Sequence, residues 1–338
     1  MTEQNLFSRA HQHLGAVVIG RNEGERLQQC LNSLVNELDH IIYVDSGSTD
    51  SSVELAQSLG VTVVSLDMTQ PFTAARARNA GLAVLLENYP YPSIDYVQFV
   101  DGDCEVQSGW ITKAKDFLDS HPDFAAVCGR RRERYPHASI YNQLCDIEWD
   151  TPIEEAKACG GDALFRLTAL QAVDGYREVL IAGEEPEMCY RMRQVGWKIM
   201  RLDAEMTLHD AAMTRFGQWW KRNVRAGHAY AESYALHGHE PEKFRKKETR
   251  SIVVWAVLIP LVIILLTIIE DDFISLWLIY PFQIIRLAFQ YKSKLDSFYL
   301  GLIYATSNVV SKWPQFTGIV AFLKNYAHGK QGGLIEYK

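Results

Sequence analysis

From Leu14 to about Val106 the chain alternates short apolar runs with amphipathic stretches. The runs at 16–19, 41–44, 61–66 and 96–100 are rich in Val and Ile, as expected of parallel strands buried on both faces. Between them, residues 25–36 put Leu27, Leu31 and Leu34 on one stripe with Leu38 just beyond, and 51–58 follow the turn Ser48-Thr49-Asp50. Both stretches predict helices. A β-α-β-α order predicts an α/β fold, an open and mostly parallel sheet with flanking helices and ligands at the carboxyl ends of its strands.

Residues 107–240 are mixed and richer in Arg, Trp and acidic side chains, and are expected to complete the sheet and supply a second substrate's site. The composition then changes. A basic run at 242–250 precedes 252–269, eighteen residues without a charge, against the roughly 20 apolar residues of a membrane-spanning helix. Glu270-Asp271-Asp272 interrupts, and 273–289 is apolar again except for Gln283 and Arg286, with Lys292 and Lys294 following. Basic outer flanks and an acidic turn predict a hairpin whose two ends face the cytoplasm. The segment 298–323, broken by Asn308, Lys312 and Pro314, fits a third segment or an amphipathic helix in the interface. The competing reading is a buried helix pair of a soluble domain. The expected organisation is a polar segment at 1–13, a catalytic domain at 14–240 and a membrane-associated helical region at 241–338.

Length agrees, since 338 residues suit one catalytic domain with an appendage. A net charge of −7 gives no basic surface for nucleic acid. Six cysteines scattered singly, without a C-x-x-C pair, read as reduced thiols of a cytoplasmic protein. The N-terminal stretch carries Glu3 and Arg9 and no apolar run, so no signal peptide is expected.

The sharpest chemical feature is Val97-Gln98-Phe99-Val100-Asp101-Gly102-Asp103. A buried strand ends in two carboxylates one residue apart, which on an extended chain point the same way. Such hard oxygen donors suit Mg²⁺ or Mn²⁺ with diphosphate oxygens completing the shell, although Asp101 and Asp103 could instead cap the next turn. A second strand runs into Asp45-Ser46-Gly47-Ser48-Thr49-Asp50, where Asp45 could accept bonds from a base or ribose and Asp50 or Ser48 could cap the next helix. The first strand delivers Arg21-Asn22-Glu23 to the same edge, Asn22 being equally a turn residue. Ala75-Arg76-Ala77-Arg78-Asn79-Ala80-Gly81 puts two arginines on a helix start, either as a solvated face or beside a diphosphate.

Together these segments resemble the family-2 glycosyltransferases of the GT-A fold, a Rossmann-like sheet with flanking helices, over roughly residues 14–227. That family's pattern is an early strand-Asn-Glu, a D-D-G-S-x-D turn, an A-R-N-x-G helix and a strand ending in D-x-D. Its later elements match Gly160-Gly161 through Arg166, then Gly183-Glu184-Glu185-Pro186-Glu187 through Arg191, then His209. The resemblance implies that Asn22, Glu23, Asp45, Arg78 and Gly161 hold a nucleotide-sugar, UDP-, GDP- or dTDP-linked. It implies that Asp101, which also meets the donor, and Asp103 grip the metal, with His209 at the metal or diphosphate, and that Glu185 is the general base with Glu184 beside it.

Here the chain departs from the pattern, with Glu185 in place of Asp and Pro186 directly after it. A carboxylate is kept, with one more methylene of reach. Pro186 suits a first helical position, and the acidic cluster also suits any helix start. Farther on, Gln218-Trp219-Trp220-Lys221-Arg222 resembles in composition, not order, the box of processive polysaccharide synthases. Trp219, Trp220 and Arg222 could meet an acceptor, or the tryptophans could be packing.

The expected activity is an inverting, metal-dependent transfer from a nucleotide-sugar to a lipid-linked or polysaccharide acceptor, at the cytoplasmic face of the cytoplasmic membrane, in cell-surface or exopolysaccharide assembly. The competing expectation is a membrane-associated nucleotide-sugar-binding protein without turnover. A Rossmann oxidoreductase is disfavoured because no G-x-G-x-x-G follows the first strand.

Overall fold

The computed structural model describes residues 13–90, 92–329 and 333. In chain order the elements are β1 (Leu14–Gly20), α1 (Glu25–Val35), β2 (His40–Asp45), α2 (Ser52–Ser58), β3 (Thr62–Ser65), α3 (Ala74–Asn88), β4 (Tyr96–Asp101), β5 (Cys104–Val106), α4 (Trp110–Ser120), β6 (Phe124–Glu133), α5 (Ile140–Trp149), β7 (Ala163–Arg166), α6 (Leu167–Ala172), α7 (Glu184–Gln194) and β8 (Lys198–His209). Then come α8 (Phe216–His237), α9 (Lys246–Val253), a π turn (Val254–Leu258), α10 (Ile259–Ile269), a 3₁₀ stretch (Asp271–Leu278), α11 (Ile279–Leu295), α12 (Phe298–Val310) and α13 (Lys312–Ala327). All four expected strands and both expected helices of the first hundred residues are present. Of the expected polar segment 1–13, all but His13 lies outside the described residues.

The chain divides into two compact units: the described residues up to Tyr135 with Trp149–Ala211, and Pro136–Glu148 with the described residues from Ala212 onward. The composition shift expected to mark a boundary lies near 240, yet α8 is part of the second unit. The cause is a close helix crossing. A Cβ on Gly227 would lie 1.9 Å from the Gln315 carbonyl oxygen, and one on Gly318 would lie 2.0 Å from that of Val224. Glycine at both points lets α8 and α13 approach backbone to backbone.

The first unit is built on one sheet ordered β3-β2-β1-β4-β7-β6-β8-β5. Strands β3, β2, β1 and β4 are mutually parallel, while β7 runs antiparallel to β4 and β6. The central runs are apolar throughout because helices cover both faces, so Ala16, Val17, Val18 and Val97 are all fully buried. Helix α3 sits directly on this floor. A Cβ on Gly81 would lie 2.4 Å from Val17 Cγ1 and 2.8 Å from Val44 Cγ2, so the glycine of the Arg78-Asn79-Ala80-Gly81 stretch sets how near its arginine comes to the sheet.

In the second unit, Lys246–Ile269 and Asp271–Leu295 are long and apolar enough to cross a membrane. The first is one continuous helical run, with the π turn just ahead of Pro260, whose missing N–H disrupts regular pairing there. Their apolar side chains are mostly outward: Leu261, Val262, Ile264, Leu265, Ile268 and Phe282 are each about half exposed or more. That is unlike a buried core pair. The third segment is two helices, α12 and α13, meeting at Ser311. Helix α12 packs along α11, with a Cβ on Gly301 falling 2.7 Å from the Ala288 carbonyl oxygen.

Candidate active site

Three parallel strands deliver the first site residues to one edge. In register, Gly20 pairs Asp45 across β1 and β2, and Ile19 pairs Asp101 across β1 and β4. Each carboxylate therefore stands at a strand's carboxyl end, where the backbone turns away and leaves room for a ligand. Two more strands complete the edge, since Cys104 of β5 pairs His209 at the end of β8.

The turns are tied to one another. Asn22, at φ 56°, accepts the Thr49 N–H through its side chain at 2.7 Å, and its own N–H donates to Ser48 Oγ at 2.9 Å. Asp45 accepts the N–H groups of Gly47 and Ser48 at 3.0 Å each and the Tyr43 hydroxyl at 3.2 Å. Asp50 accepts the Ser52 N–H at the start of α2. Glu23 pairs Arg26 at 2.8 Å. Asn22 and Asp45 thus hold the two turns in shape, and the carboxylate of Asp45 is already engaged within its own turn.

The densest cluster surrounds Arg78. Thr73 caps α3 by accepting the Arg76 N–H and donates to the Glu178 carbonyl, fixing the helix start. From there the buried Arg78 reaches Asp101 at 2.6 Å and Glu184 at 2.7 Å. Burial would lower its guanidinium, but Asp101 and Glu184 outweigh it and raise it further. Gly161 closes the cluster, because a Cβ there would lie 2.7 Å from Asp101 Oδ2 and 2.8 Å from Arg78 Nη2.

Sequence reasoning missed the residues on the other side of Asp101. Asp162, fully buried, accepts the Asp101 backbone N–H at 3.0 Å and the Thr207 hydroxyl at 2.9 Å. Arg131 pairs Asp162 at 2.7 Å, lies 3.6 Å from Asp101 Oδ2 and stacks over Trp149. The available signals were the position of Asp162 directly after Gly161 and three consecutive arginines, 130–132, on one strand. Arg76 faces outward onto the carbonyls of Asp67, Gln70 and Pro71, and Asn79 stitches α3 to Tyr176 and Glu178.

Asp103 turns to a different neighbour. It lies 3.3 Å from His209 Nε2, with the Cys104 thiol donating to it at 3.7 Å. Asp101 groups instead with Cys104 and Asp162, so the two aspartates occupy adjoining clusters that share Cys104. Burial, reinforced by Arg131, lowers His209 to about 4. Its imidazole is therefore neutral near pH 7, and Nδ1 is buried with no hydrogen-bond partner. With Nε2 facing the Asp103 carboxylate and the ring neutral, the imidazole and the carboxylate make a donor set that fits a divalent cation. The charges agree: Arg78 and Arg131 pair with three carboxylates, those of Asp101, Asp162 and Glu184, and Asp103 adds a fourth beside the neutral His209.

Helix α7 brings in the acidic run. Gly183 at φ 75° starts it, and Glu184, Glu185 and Glu187 fill its first turn, where the helix dipole favours anions. Pro186 falls at the third helical position rather than the first; its absent N–H is still among those a helix start leaves unpaired. Glu187 is structural, holding Arg191 and Arg177. Glu185, 3% exposed, accepts the Cys159 N–H at 2.7 Å and the Cys189 thiol at 2.8 Å, and burial raises its carboxyl above the ordinary range. Trp219, Trp220 and Arg222 lie in the second unit: buried Trp219 donates to Ser307, Trp220 rests against Phe216, and Arg222 pairs Glu148 at 2.6 Å.

The family model for glycosyl transferase family 2 matches residues 16–161, the stretch that carries Asn22, Asp45, Arg78, Asp101, Asp103 and Gly161. Over that stretch the chain is similar to that family. It is 27% identical over 176 residues, 48% of its own length and 54% of the relative's, to the O-antigen chain rhamnosyltransferase RfbN of Salmonella typhimurium. It is 23% identical over 242 residues, 68% of its length and 49% of the relative's, to the pre-mycofactocin glycosyltransferase of Mycobacterium tuberculosis. The chain spans about half the length of these two relatives. Among solved structures, the mannosyltransferase PcManGT from Pyrobaculum calidifontis, in complex with GDP-Man and Mn²⁺, aligns over 94% of each chain with a TM-score of 0.57 at 14% identity. The fold is the GT-A fold followed by apolar C-terminal helices.

Proposed function

We propose that this chain is a glycosyltransferase moving a sugar from a nucleotide-diphosphate sugar to a lipid-linked or polysaccharide acceptor, with inversion, at the cytoplasmic face of the membrane its C-terminal helices enter. The observation that carries this is the convergence of Arg78, Asp101, Gly161 and Glu184 beside Asp103 and His209 at the carboxyl edge of the sheet. The similarity to an O-antigen chain rhamnosyltransferase supports a surface polysaccharide as acceptor, and the shared fold with a mannosyltransferase in complex with GDP-Man and Mn²⁺ supports a nucleotide-sugar donor.

Each residue then has a task. Arg78, buried and fixed by two carboxylates, presents charge that needs no reorganisation as the diphosphate departs. Gly161 leaves the space that a donor must share with Asp101. Asn22, Glu23 and Asp45 shape the two turns that receive the nucleotide. Glu185 takes the proton of the attacking acceptor hydroxyl, and its burial makes it a stronger base than an exposed glutamate. Asp103 and His209, with Asp101, would hold Mn²⁺ or Mg²⁺, which when bound would supply positive charge to the leaving diphosphate.

One observation favours the competing reading of a donor-binding protein without turnover: Glu185 Oε1 is already committed to the Cys159 N–H and the Cys189 thiol. Transfer assays on wild type, Asp101→Asn, Asp103→Asn and Glu185→Gln decide. Loss in all three variants and in EDTA supports transfer. Full turnover in all three disposes of the mechanism, and a wild type that binds donor without transferring or hydrolysing it establishes the rival.

A further inference from the structure

The thiols around Glu185 form a group of their own. Cys128 lies on β6, Cys159 precedes the Gly160-Gly161 turn, and Cys189 stands one helical turn after Glu185 on α7. The ligand atoms of Cys159, Glu185 and Cys189 lie within 4.8 Å of one another. The thiols of Cys128 and Cys189 are both within hydrogen-bonding reach of that of Cys159. Glu185 Oε1 already receives Cys189, whereas Oε2 is buried with no hydrogen-bond partner. Two sulfurs thus flank a carboxylate that holds one oxygen in reserve, and the Cys128 thiol stands next to that of Cys159.

We propose that Cys159, Cys189 and Glu185, with Cys128 beside Cys159, form a second cation site, selective for a thiophilic d¹⁰ ion of the zinc class, whose occupation withdraws Glu185 from proton transfer. The inference rests on the reading of Glu185 as the base. Tetrahedral coordination at about 2.3 Å per sulfur sets neighbouring sulfurs a little under about 4 Å apart, so ligand atoms already within 4.8 Å of one another need at most a modest contraction. Sulfur also discriminates, since Mn²⁺ and Mg²⁺ prefer oxygen donors and a zinc-class ion takes thiolate. On binding, the Cys189 S–H bond to Oε1 is replaced by metal–sulfur and metal–oxygen bonds, and the thiol protons leave to solvent. Because thiolate coordination releases protons, uptake strengthens as pH rises. The same contraction draws on Cys159 and hence on the turn that carries Gly161.

The test titrates the purified full-length chain, stripped of metal, with cadmium alone and follows the ultraviolet charge-transfer band of cadmium thiolate. A saturable band that zinc displaces, and that disappears in Cys159→Ser/Cys189→Ser but persists in Cys30→Ser, supports the site. No band in the wild type, or an equal band in the double variant, overturns it. Should the double variant fail to fold, zinc protection of Cys159 from alkylation in the wild-type chain gives the same reading, and unaltered alkylation overturns it. Because the band is read without any donor, it stands apart from the glycosyl-transfer reading. Zinc at the displacing concentration is then expected to lower transfer on the order of 10²-fold, the usual worth of a general base. A full band with undiminished transfer overturns the inhibitory role.

Discussion

Gly161→Ala is the sharpest perturbation the site offers, because it adds one methyl at the point where Asp101 and Arg78 meet. The new Cβ would lie 2.7 Å from the Asp101 carboxylate oxygen and 2.8 Å from the Arg78 guanidinium nitrogen, against 3.4 Å for ordinary contact. Both groups must therefore retract by about 0.7 Å or the turn must shift. Neither retracts freely: Arg78 is buried and tied to Glu184, and Asp101 is held through its backbone N–H by Asp162. Overpacking of this kind costs about 1–3 kcal/mol of stability, whereas a displacement approaching 1 Å at a reacting centre costs up to about 100-fold in rate. The expected result is a kcat/KM for the donor lowered by roughly 10- to 100-fold in a protein whose melting temperature falls only a few degrees. Steady-state donor turnover and a thermal melt on the same preparation measure both. A variant with wild-type kcat/KM would refute the claim that these groups form the donor-binding centre.

Other outcomes follow from the buried titrations and the helices. The raised Glu185 carboxyl means that the folded chain keeps a proton which the unfolded chain has already released, so its contribution to stability is lost as pH rises through the raised value. Glu185→Gln should accordingly gain in melting temperature relative to wild type as pH rises through that window, while losing transfer; a pH-independent difference would contradict the burial. His209 has the opposite sign. With a folded value of about 4 against the ordinary 6.5, the unfolded chain takes up the proton first, so stability falls between those values as pH drops. In metal-free protein His209→Asn should flatten that fall, as melts across the interval would record. The outward apolar side chains of Lys246–Ile269 and Asp271–Leu295 should keep the full chain in the membrane pellet through alkaline carbonate extraction, and quantitative release would argue against membrane insertion.

Much of this was legible from the chain because buried parallel strands leave an unambiguous trace. Runs such as Val17-Val18-Ile19 have no polar alternation, and the residues that follow them, Asn22, Asp45 and Asp101, stand where a parallel sheet opens. Gly81 and Gly161 could be quoted as pattern positions but not explained, since their reasons are contacts with Val17 and with Asp101. Arg131 and Asp162 stayed hidden because their partners are distant in sequence and meet only through the antiparallel arrangement of β4, β7 and β6. Two carboxylates spaced for a common direction were expected to share one cation. What the spacing did not reveal is the company each keeps: the turn at Gly102 sets Asp101 beside the arginines and Asp103 beside His209, in adjoining clusters that share Cys104. The role of α8 was obscured for another reason: composition records solvent preference, whereas the helix joins the second unit through the Gly227 and Gly318 crossing.

The central claim is that Asp101, Asp103 and His209 admit a divalent cation together with an activated sugar. Thermal melts of the wild-type chain with UDP-, GDP- and dTDP-sugars, each with and without Mn²⁺, test it most directly, because a ligand bound only by the folded state raises the melting temperature. At least one donor should stabilise the wild type only when Mn²⁺ is present, and Asp103→Asn should abolish that increment. Stabilisation by none of the donors with Mn²⁺, or the same increment in Asp103→Asn, would contradict the account.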